Sequence, residues 1–134
     1  MSAETGRVLI ADDEQDVRIF VRAVLENAGY QVLEAADGEE ALAQAREDQP
    51  DLVILDVEMP KMDGFGVFGE LRRDESTRGI PVLMLTGVTA RTGIKFDAET
   101  MGEYLGSEPE AYLDKPMDAQ VLVATVRDLL APPA

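Results

Sequence analysis

The 134-residue sequence contains no cysteine, no histidine and no tryptophan. Without cysteine the chain cannot form disulfide bonds, thiol nucleophiles, zinc knuckles or iron–sulfur clusters. Without histidine it has no Ser-His-Asp triad, no imidazole metal ligand and no phosphorylatable histidine. Polar chemistry must therefore rely on carboxylates, lysine, arginine, tyrosine, hydroxyl groups and the backbone. Any metal ion must be a hard cation that accepts oxygen ligands, such as Mg²⁺, Mn²⁺ or Ca²⁺.

Basic residues are also scarce, because 12 Lys and Arg stand against 27 Asp and Glu, for a net charge of −15. The sequence has no basic stripe, so repulsion from phosphate groups predicts no direct contact with nucleic acid or with an anionic membrane. No apolar run approaches the ~20 residues that span a bilayer, and the polar start, residues 1–6, is not a signal peptide. We expect a cytoplasmic protein.

A hydrophobic content of 46% indicates a folded chain. Short apolar runs, the predicted strands, lie at 7–11, 30–35, 52–55, 81–85 and 111–113. Apolar residues between them follow helical spacing, from Val17 towards Gly29 in the first case. Asp37 is expected to cap the second helix, and the last helix is expected to start near Asp118. The stretch 88–110 is the least readable, and its apolar spacing predicts only a short helix near 98–105.

Five strands that alternate with five helices predict an α/β fold in which a parallel sheet carries helices on both faces. We expect a flavodoxin-like, doubly wound sheet with strand order 2-1-3-4-5, where strands one and three are neighbours at the switch point. The length predicts one domain, residues 1–134, with a core over 6–131.

Polar residues follow the carboxyl ends of four predicted strands. Asp12 and Asp13 follow the first, Asp56 the third, Thr86 the fourth and Lys115 the fifth. In the expected order the three carboxylates meet and repel one another, a conflict that a divalent cation resolves. An ammonium and a hydroxyl suit the oxygens of a phosphoryl group. The set therefore predicts a phosphoryl-transfer site in which a carboxylate is the attacking group.

Five fragments extend this pattern through nearly the whole chain. They are residues 8–13 (VLIADD), 29–30 (GY) with 37–42 (DGEEAL), 56–60 (DVEMP) with 62–64 (MDG), Thr86, and 112–116 (YLDKP). In this order and spacing they resemble a response-regulator receiver domain of two-component signalling, similar to the single-domain chemotaxis regulators.

The resemblance implies roles for individual residues. Asp56 accepts a phosphoryl group from a sensor histidine kinase, a phosphotransfer protein or a small phosphodonor. Asp13 and Asp56 ligate Mg²⁺ directly, with Mn²⁺ as a possible substitute, and Asp12 acts largely through water. The backbone carbonyl of Glu58 is the third protein ligand.

The resemblance also implies a switch. Thr86 bonds a phosphoryl oxygen, Lys115 pairs with the phosphoryl group, and Tyr112 swings inward as Thr86 moves. The small Gly87 leaves the site open, and the bond that precedes Pro116 is often cis in this family. The protein would control a protein target, as a monomer or a phosphorylation-dependent dimer. It would catalyse only its own phosphorylation and dephosphorylation.

The sequence departs from the family between the fourth and fifth strands, because Thr86 and Lys115 are further apart than in familiar short receivers. The extra residues in 88–110 are either a tolerated surface insertion or a modified output or dimer surface. Glu58 either repels or orients the water that hydrolyses the phosphoryl group, or is a solvated loop acid. Gly87 can also be read as part of a simple turn.

Other interpretations remain for the site residues and for the function. The acid pair Asp12-Asp13 could cap the first helix, Lys115 could be an exposed cation, and Tyr112 a half-buried strand aromatic. Haloacid-dehalogenase-like phosphatases use similar groups, but their Asp-x-Asp motif is absent because Glu58 stands two positions after Asp56. A receiver fold that only docks partners is a third possibility. The chain could act alone or as part of a longer protein.

Overall fold

The structure, a computed structural model of the chain, describes residues 6–59, 61–86, 109–115 and 117–130. Five strands and four helices lie within these residues. In chain order they are β1 (Arg7–Ala11), α1 (Gln15–Asn27), β2 (Gln31–Ala35), α2 (Gly38–Asp48), β3 (Leu52–Asp56), α3 (Gly64–Arg73), β4 (Val82–Thr86), β5 (Ala111–Asp114) and α4 (Ala119–Leu130).

The five strands form one parallel sheet in the order β2-β1-β3-β4-β5. The predicted flavodoxin-like, doubly wound topology is therefore confirmed. Ala11 at the end of β1 lies beside Ala35 of β2 on one side and beside Leu55 of β3 on the other. The direction of winding reverses at β1 and β3, so a crevice opens where their carboxyl ends meet.

Helices cover both faces of the sheet, as predicted. On one face Leu9 and Leu55 belong to a core cluster that includes Phe68 of α3 and residues of α2. On the other face Ile10 belongs to a second cluster that includes Leu122 of α4 and residues of α1. Every residue of β3 and β4 is buried. These strands read as continuous apolar runs because both of their faces are covered.

The ends of the elements differ from the sequence predictions by one or two residues. The helix α1 begins at Gln15, before Val17, and its C-cap is Ala28. Gly29 follows with φ 105°, a left-handed conformation that favours glycine. The carboxylate of Asp37 accepts a hydrogen bond from the backbone N–H of Glu40, so the predicted cap of α2 is confirmed.

Most of the atypical stretch 88–110, including the expected helix near 98–105, lies outside the described residues. The assignment of residues 1–134 to one domain stays a prediction. Among the helices that are described, none has both the length and the apolar character needed to cross a membrane.

Candidate functional site

Three carboxylates meet at the carboxyl edge of the sheet. Asp12 and Asp13 follow β1, and Asp56 is the last residue of the neighbouring strand β3. Each offers an oxygen, and these oxygens lie within 4.8 Å of one another. Asp12 and Asp56 are buried, whereas Asp13 is exposed. The predicted acidic cluster is therefore present, and its open side is at Asp13.

Asp12 is held by its backbone as well as by its side chain. Its N–H donates to the carbonyl of Ala35 at 3.1 Å, and its Oδ1 accepts from the N–H of Glu14 at 2.9 Å. Arg18 Nη1 donates to the Asp12 carbonyl at 2.7 Å. The N-cap of α1 is Glu14, which makes no side-chain capping bond. The interpretation of Asp12 and Asp13 as a helix-capping pair is therefore wrong.

Lys115 is the cation of the site. Its Nζ lies 2.7 Å from Asp12 Oδ2, 3.2 Å from Asp56 Oδ1 and 3.3 Å from Glu14 Oε1. Its backbone N–H donates to the carbonyl of Thr86 at 2.9 Å, which places the lysine directly after β5. The interpretation of Lys115 as an exposed cation is wrong, because its side chain is 16% exposed.

One ammonium does not balance the acidic cluster. Burial, followed by the charge of Asp12, raises the pKa of Asp56 to about 7, although Lys115 acts in the opposite direction. Burial also raises the pKa of Asp12. Burial alone lowers the pKa of Lys115, but its bonds to and charge attraction from Asp12 and Asp56 outweigh burial and raise it. Ionised Asp12 and Asp56 are thus costly to keep together here.

The residues fit a hard divalent cation. The donors are carboxylate oxygens, the ligands that Mg²⁺ prefers. Two of the three acids are buried, and the single positive charge of Lys115 does not neutralise all three carboxylates. A doubly charged ion would offset the remaining negative charge.

The loop after β3 is held against the sheet and α3. The N–H of Val57 donates to the carbonyl of Leu85 at 3.1 Å, and the N–H of Gly64 donates to the carbonyl of Val57 at 2.9 Å. The backbone N–H of Glu58 is near enough to the Asp56 carboxylate to act against the rise in its pKa, while the residue itself is exposed. Glu58 is therefore adjacent to the cluster through its main chain.

The two predicted switch residues lie on β4 and β5. The hydroxyl of Thr86 donates to Asp114 Oδ1 at 2.7 Å, and the Thr86 residue is buried. Tyr112 is partly buried against the apolar cluster that includes Met84 of β4. Gly87 and Pro116 lie outside the described residues.

Three residues at the site were missed by sequence reasoning: Arg18, Glu14 and Asp114. Arg18 and Glu14 lie at the start of α1, and Asp114 lies next to Lys115. The position of Arg18, in the first turn of the helix that follows the acidic pair, could have indicated its role, since a basic residue beside a cluster of acids offsets their charge. Asp114 has no such signal, because its contact depends on the register between β4 and β5.

Comparison with known proteins identifies the family. A sequence profile described as the response regulator receiver domain matches residues 8–127. The chain belongs to this family. It is the receiver domain of a two-component response regulator.

Individual relatives agree with this assignment. The receiver domain is 44% identical to the "DNA-binding dual master transcriptional regulator RpaA" of Synechocystis over 92% of this chain and 48% of the relative. It is 35% identical to "Protein PilH" of Pseudomonas aeruginosa over 94% of this chain and 98% of the relative. The chain thus spans about half the length of the first of these relatives and nearly all of the second.

A solved structure supports the fold as well as the family. The chemotaxis protein CheY4 of Vibrio cholerae is 35% identical, with a TM-score of 0.80, over 94% of this chain and 99% of that one. The predicted likeness of this receiver to chemotaxis regulators is therefore confirmed.

Proposed function

We propose that this receiver is switched by phosphorylation of Asp56. The observation that carries the proposal is the position of Asp56, buried at the end of β3 and in contact with the ammonium of Lys115, which also contacts Asp12. A carboxylate in contact with a cation can take up a phosphoryl group, whose charge Lys115 and a divalent cation held by the two further acids would offset. The family assignment supports the same role.

The acidic cluster is proposed to hold Mg²⁺, which Mn²⁺ can replace. Asp13 and Asp56 would be direct ligands, Asp12 would act largely through water, and the Glu58 carbonyl would complete the protein ligands. The bound ion supplies charge neutralisation at the phosphoryl oxygens. The carboxylate oxygens within 4.8 Å of one another support this ligand set.

The phosphoryl step needs Asp56, a phosphodonor and the divalent cation proposed for the acidic cluster. A carboxylate oxygen of Asp56 attacks the phosphorus atom, the new O–P bond forms, and the bond to the donor breaks with its electron pair. Lys115 moves from the carboxylates to the phosphoryl oxygens. Water later attacks phosphorus, the O–P bond to Asp56 breaks with its electron pair left on the carboxylate, and inorganic phosphate is released. The chain thus catalyses only its own phosphorylation and dephosphorylation, and we propose no other substrate.

The switch is proposed to involve Thr86 and Tyr112. The Thr86 hydroxyl bonds Asp114 in this structure, so it must rotate to reach a phosphoryl oxygen on Asp56. Tyr112 rests against the cluster around Met84, and its inward movement would fill the space that Thr86 leaves. The surface near β4 and β5 would then differ between the two states.

The proposed partners are a sensor histidine kinase or phosphotransfer protein and a protein output target, in the cytoplasm. The receiver would be a monomer or a phosphorylation-dependent dimer.

The net charge of −15 supports no direct nucleic-acid contact by this receiver. RpaA is described as DNA-binding and is about twice as long, so DNA binding through a further part of a longer protein is a second proposal. The match to PilH covers 98% of that protein, which supports the other proposal, that the receiver acts alone.

The test is phosphorylation with a small phosphodonor such as acetyl phosphate. We expect a gain of one phosphoryl group in the intact mass of the wild-type chain with Mg²⁺, and none with EDTA. Asp56→Asn should remain unlabelled, while Asp128→Asn, at an exposed position of α4, should label like wild type. Equal labelling of Asp56→Asn and wild type would show that another residue is the acceptor.

A further inference from the structure

Arg18 is a largely buried cation of α1 that contacts both the acidic cluster and the edge strand β2. Its Nη1 donates to the backbone carbonyl of Asp12 at 2.7 Å, and its Nε donates to Glu34 Oε1 at 3.0 Å. The Arg18 side chain is 15% exposed, against 48% for Arg22, which also pairs with Glu34. Arg18 is therefore held in one place between the site and β2, whereas Arg22 lies largely in solvent.

The carbonyl that Arg18 binds belongs to the peptide group that joins Asp12 to Asp13. The paired residues of β1 end at Ala11, so this peptide group lies beyond the strand ladder. The Asp12 N–H is fixed by the carbonyl of Ala35 at 3.1 Å. Because a peptide group is planar, a bond to its carbonyl also sets the direction in which the next residue leaves the backbone. The bond from Arg18 thus bears on the position of the Asp13 carboxylate.

We propose that Arg18 is a positioning residue that orients the Asp12–Asp13 peptide group and thereby sets the affinity of the acidic cluster for a divalent cation. This inference rests on the proposed function, since it takes the cluster to be a Mg²⁺ site. The guanidinium bonds the Asp12 carbonyl from Nη1 and the Glu34 carboxylate from Nε, two donors in a fixed planar geometry that the single nitrogen of a lysine does not reproduce. Glu34 in turn holds the fork in place.

The sign of the effect separates positioning from simple charge. Arg18 carries a positive charge, so by its field alone it repels a cation, and its removal strengthens Mg²⁺ binding. Loss of the bond to the Asp12 carbonyl acts the other way, because a misdirected Asp13 binds Mg²⁺ less well. Outer-shell partners of metal ligands change metal affinity by about 10–100-fold. The loss of the bond to the Asp12 carbonyl should therefore change the affinity for Mg²⁺ more than the loss of the Arg18 charge does.

The test is calorimetric titration of the unphosphorylated chain with Mg²⁺. We expect Arg18→Lys, which keeps the charge, to raise the Kd for Mg²⁺ by about tenfold. Arg18→Gln, which also removes the charge, should raise the Kd by less. Arg22→Gln is the matched control, since it removes the other arginine that pairs with Glu34. Arg22 forms ion pairs with Glu34 and Glu26. Its Kd should stay within about twofold of wild type. Thermal unfolding in EDTA checks that each variant is folded, and Arg18→Lys decides the outcome if Arg18→Gln is not.

Two results would overturn the inference alone. One is an unchanged or lower Kd in Arg18→Lys, which would mean that the carbonyl contact does not position the ligands. The other is an equal rise in Kd for Arg22→Gln, which would show that the effect follows from the loss of either ion pair with Glu34 and not from the bond to the Asp12 carbonyl. Absence of Mg²⁺ binding by the wild-type chain is a distinct result, and it would overturn the proposed function together with this inference.

Discussion

The hydroxyl of Thr86 donates a hydrogen bond to the Oδ1 atom of Asp114 at 2.7 Å, across the pair of strands β4 and β5. The two residues face each other in the strand register, and Thr86 is buried. The hydroxyl that is proposed to bind a phosphoryl oxygen is therefore already committed to a carboxylate. Asp114 would therefore stabilise the unphosphorylated arrangement and compete with the proposed phosphoryl group for the same hydrogen.

Removal of this competitor should favour the phosphorylated arrangement. We expect Asp114→Ala to bind the phosphoryl mimic beryllofluoride about fivefold more tightly, because a typical protein hydrogen bond contributes ~1 kcal/mol. Asp114→Asn should change affinity less, since its amide oxygen still accepts from Thr86. Titration of each variant with beryllofluoride in Mg²⁺ measures this. Equal gains in Asp114→Ala and Asp114→Asn would assign the effect to charge and contradict the competition.

The raised pKa of Asp56 predicts a pH dependence of stability in the metal-free chain. The pKa is about 7 in the folded state against 3.8 ordinarily, so the folded state binds this proton more tightly than the unfolded chain. The stabilisation is complete below about pH 4 and is lost as pH rises through 7. Asp56→Asn cannot ionise, so it should exceed wild type by about 2–4 kcal/mol at pH 8 and match it near pH 4.

Urea denaturation in EDTA at the two pH values measures this difference. Asp128→Asn is the control, because Asp128 is exposed on α4 and its loss should leave the pH profile unchanged. If Asp56→Asn and wild type were equally stable at pH 8, ionisation of Asp56 beside Asp12 would have no cost, contrary to the raised pKa.

The sheet and its site could be predicted because both follow from local patterns. Each buried strand is a short apolar run, and a polar residue marks its carboxyl end, as at Asp56 and Thr86. Parallel strands present these ends at one edge, so the acidic cluster follows once β1 and β3 are neighbours. The strand order and the proximity of the three acids could therefore be predicted without knowledge of individual side-chain contacts.

The partners of individual polar atoms could not be predicted in the same way. The bond from Thr86 to Asp114 depends on the register of β4 against β5, which apolar periodicity does not specify. The reach of Arg18 to the Asp12 carbonyl depends on the rotamer of a long side chain and on its second bond to Glu34. Such contacts are set by three-dimensional packing, so they become visible only in the structure.

Gly64 allows the loop after β3 to approach α3 closely. A Cβ at this position would lie 2.4 Å from the carbonyl oxygen of Asp56 and 3.0 Å from the Cα of Val57, both of which are backbone atoms. We expect Gly64→Ala to lower the free energy of unfolding by about 2–3 kcal/mol, because the backbone beside the proposed acceptor must shift. The same shift should reduce phosphorylation at Asp56.

Gly79 provides a matched control, since a Cβ there would meet nothing within 4 Å. Gly79→Ala should leave stability unchanged or raise it by up to about 1 kcal/mol, through the lower entropy of the unfolded chain. Urea denaturation of both variants makes the comparison. Similar effects of Gly64→Ala and Gly79→Ala would contradict the interpretation that Gly64 is required because the backbone of Asp56 and Val57 lies so close to it.

Glu110 ties the start of β5 to β4 and α3. Its Oε1 accepts from the N–H of Val82 at 2.7 Å, and both of its carboxylate oxygens lie 2.8 Å from Nη2 of Arg72. The Arg72 guanidinium also donates to the carbonyl of Ile80 at 3.0 Å and lies over the ring of Phe68. Glu110 thus makes charge-assisted bonds at the point where the chain enters β5, in a segment where the sequence departs from the family.

We expect Glu110→Ala to lower the free energy of unfolding by about 1–3 kcal/mol, because it leaves the Val82 N–H without this acceptor and Arg72 without its carboxylate. Glu70→Ala is the control, since the pair of Glu70 with Arg73 is solvent-exposed and should contribute less than about 1 kcal/mol. A double-mutant cycle of Glu110→Ala with Arg72→Ala, followed by urea denaturation, measures the coupling directly. A coupling energy near zero would mean that the Glu110 side chain acts through its bond from Val82 and not through Arg72.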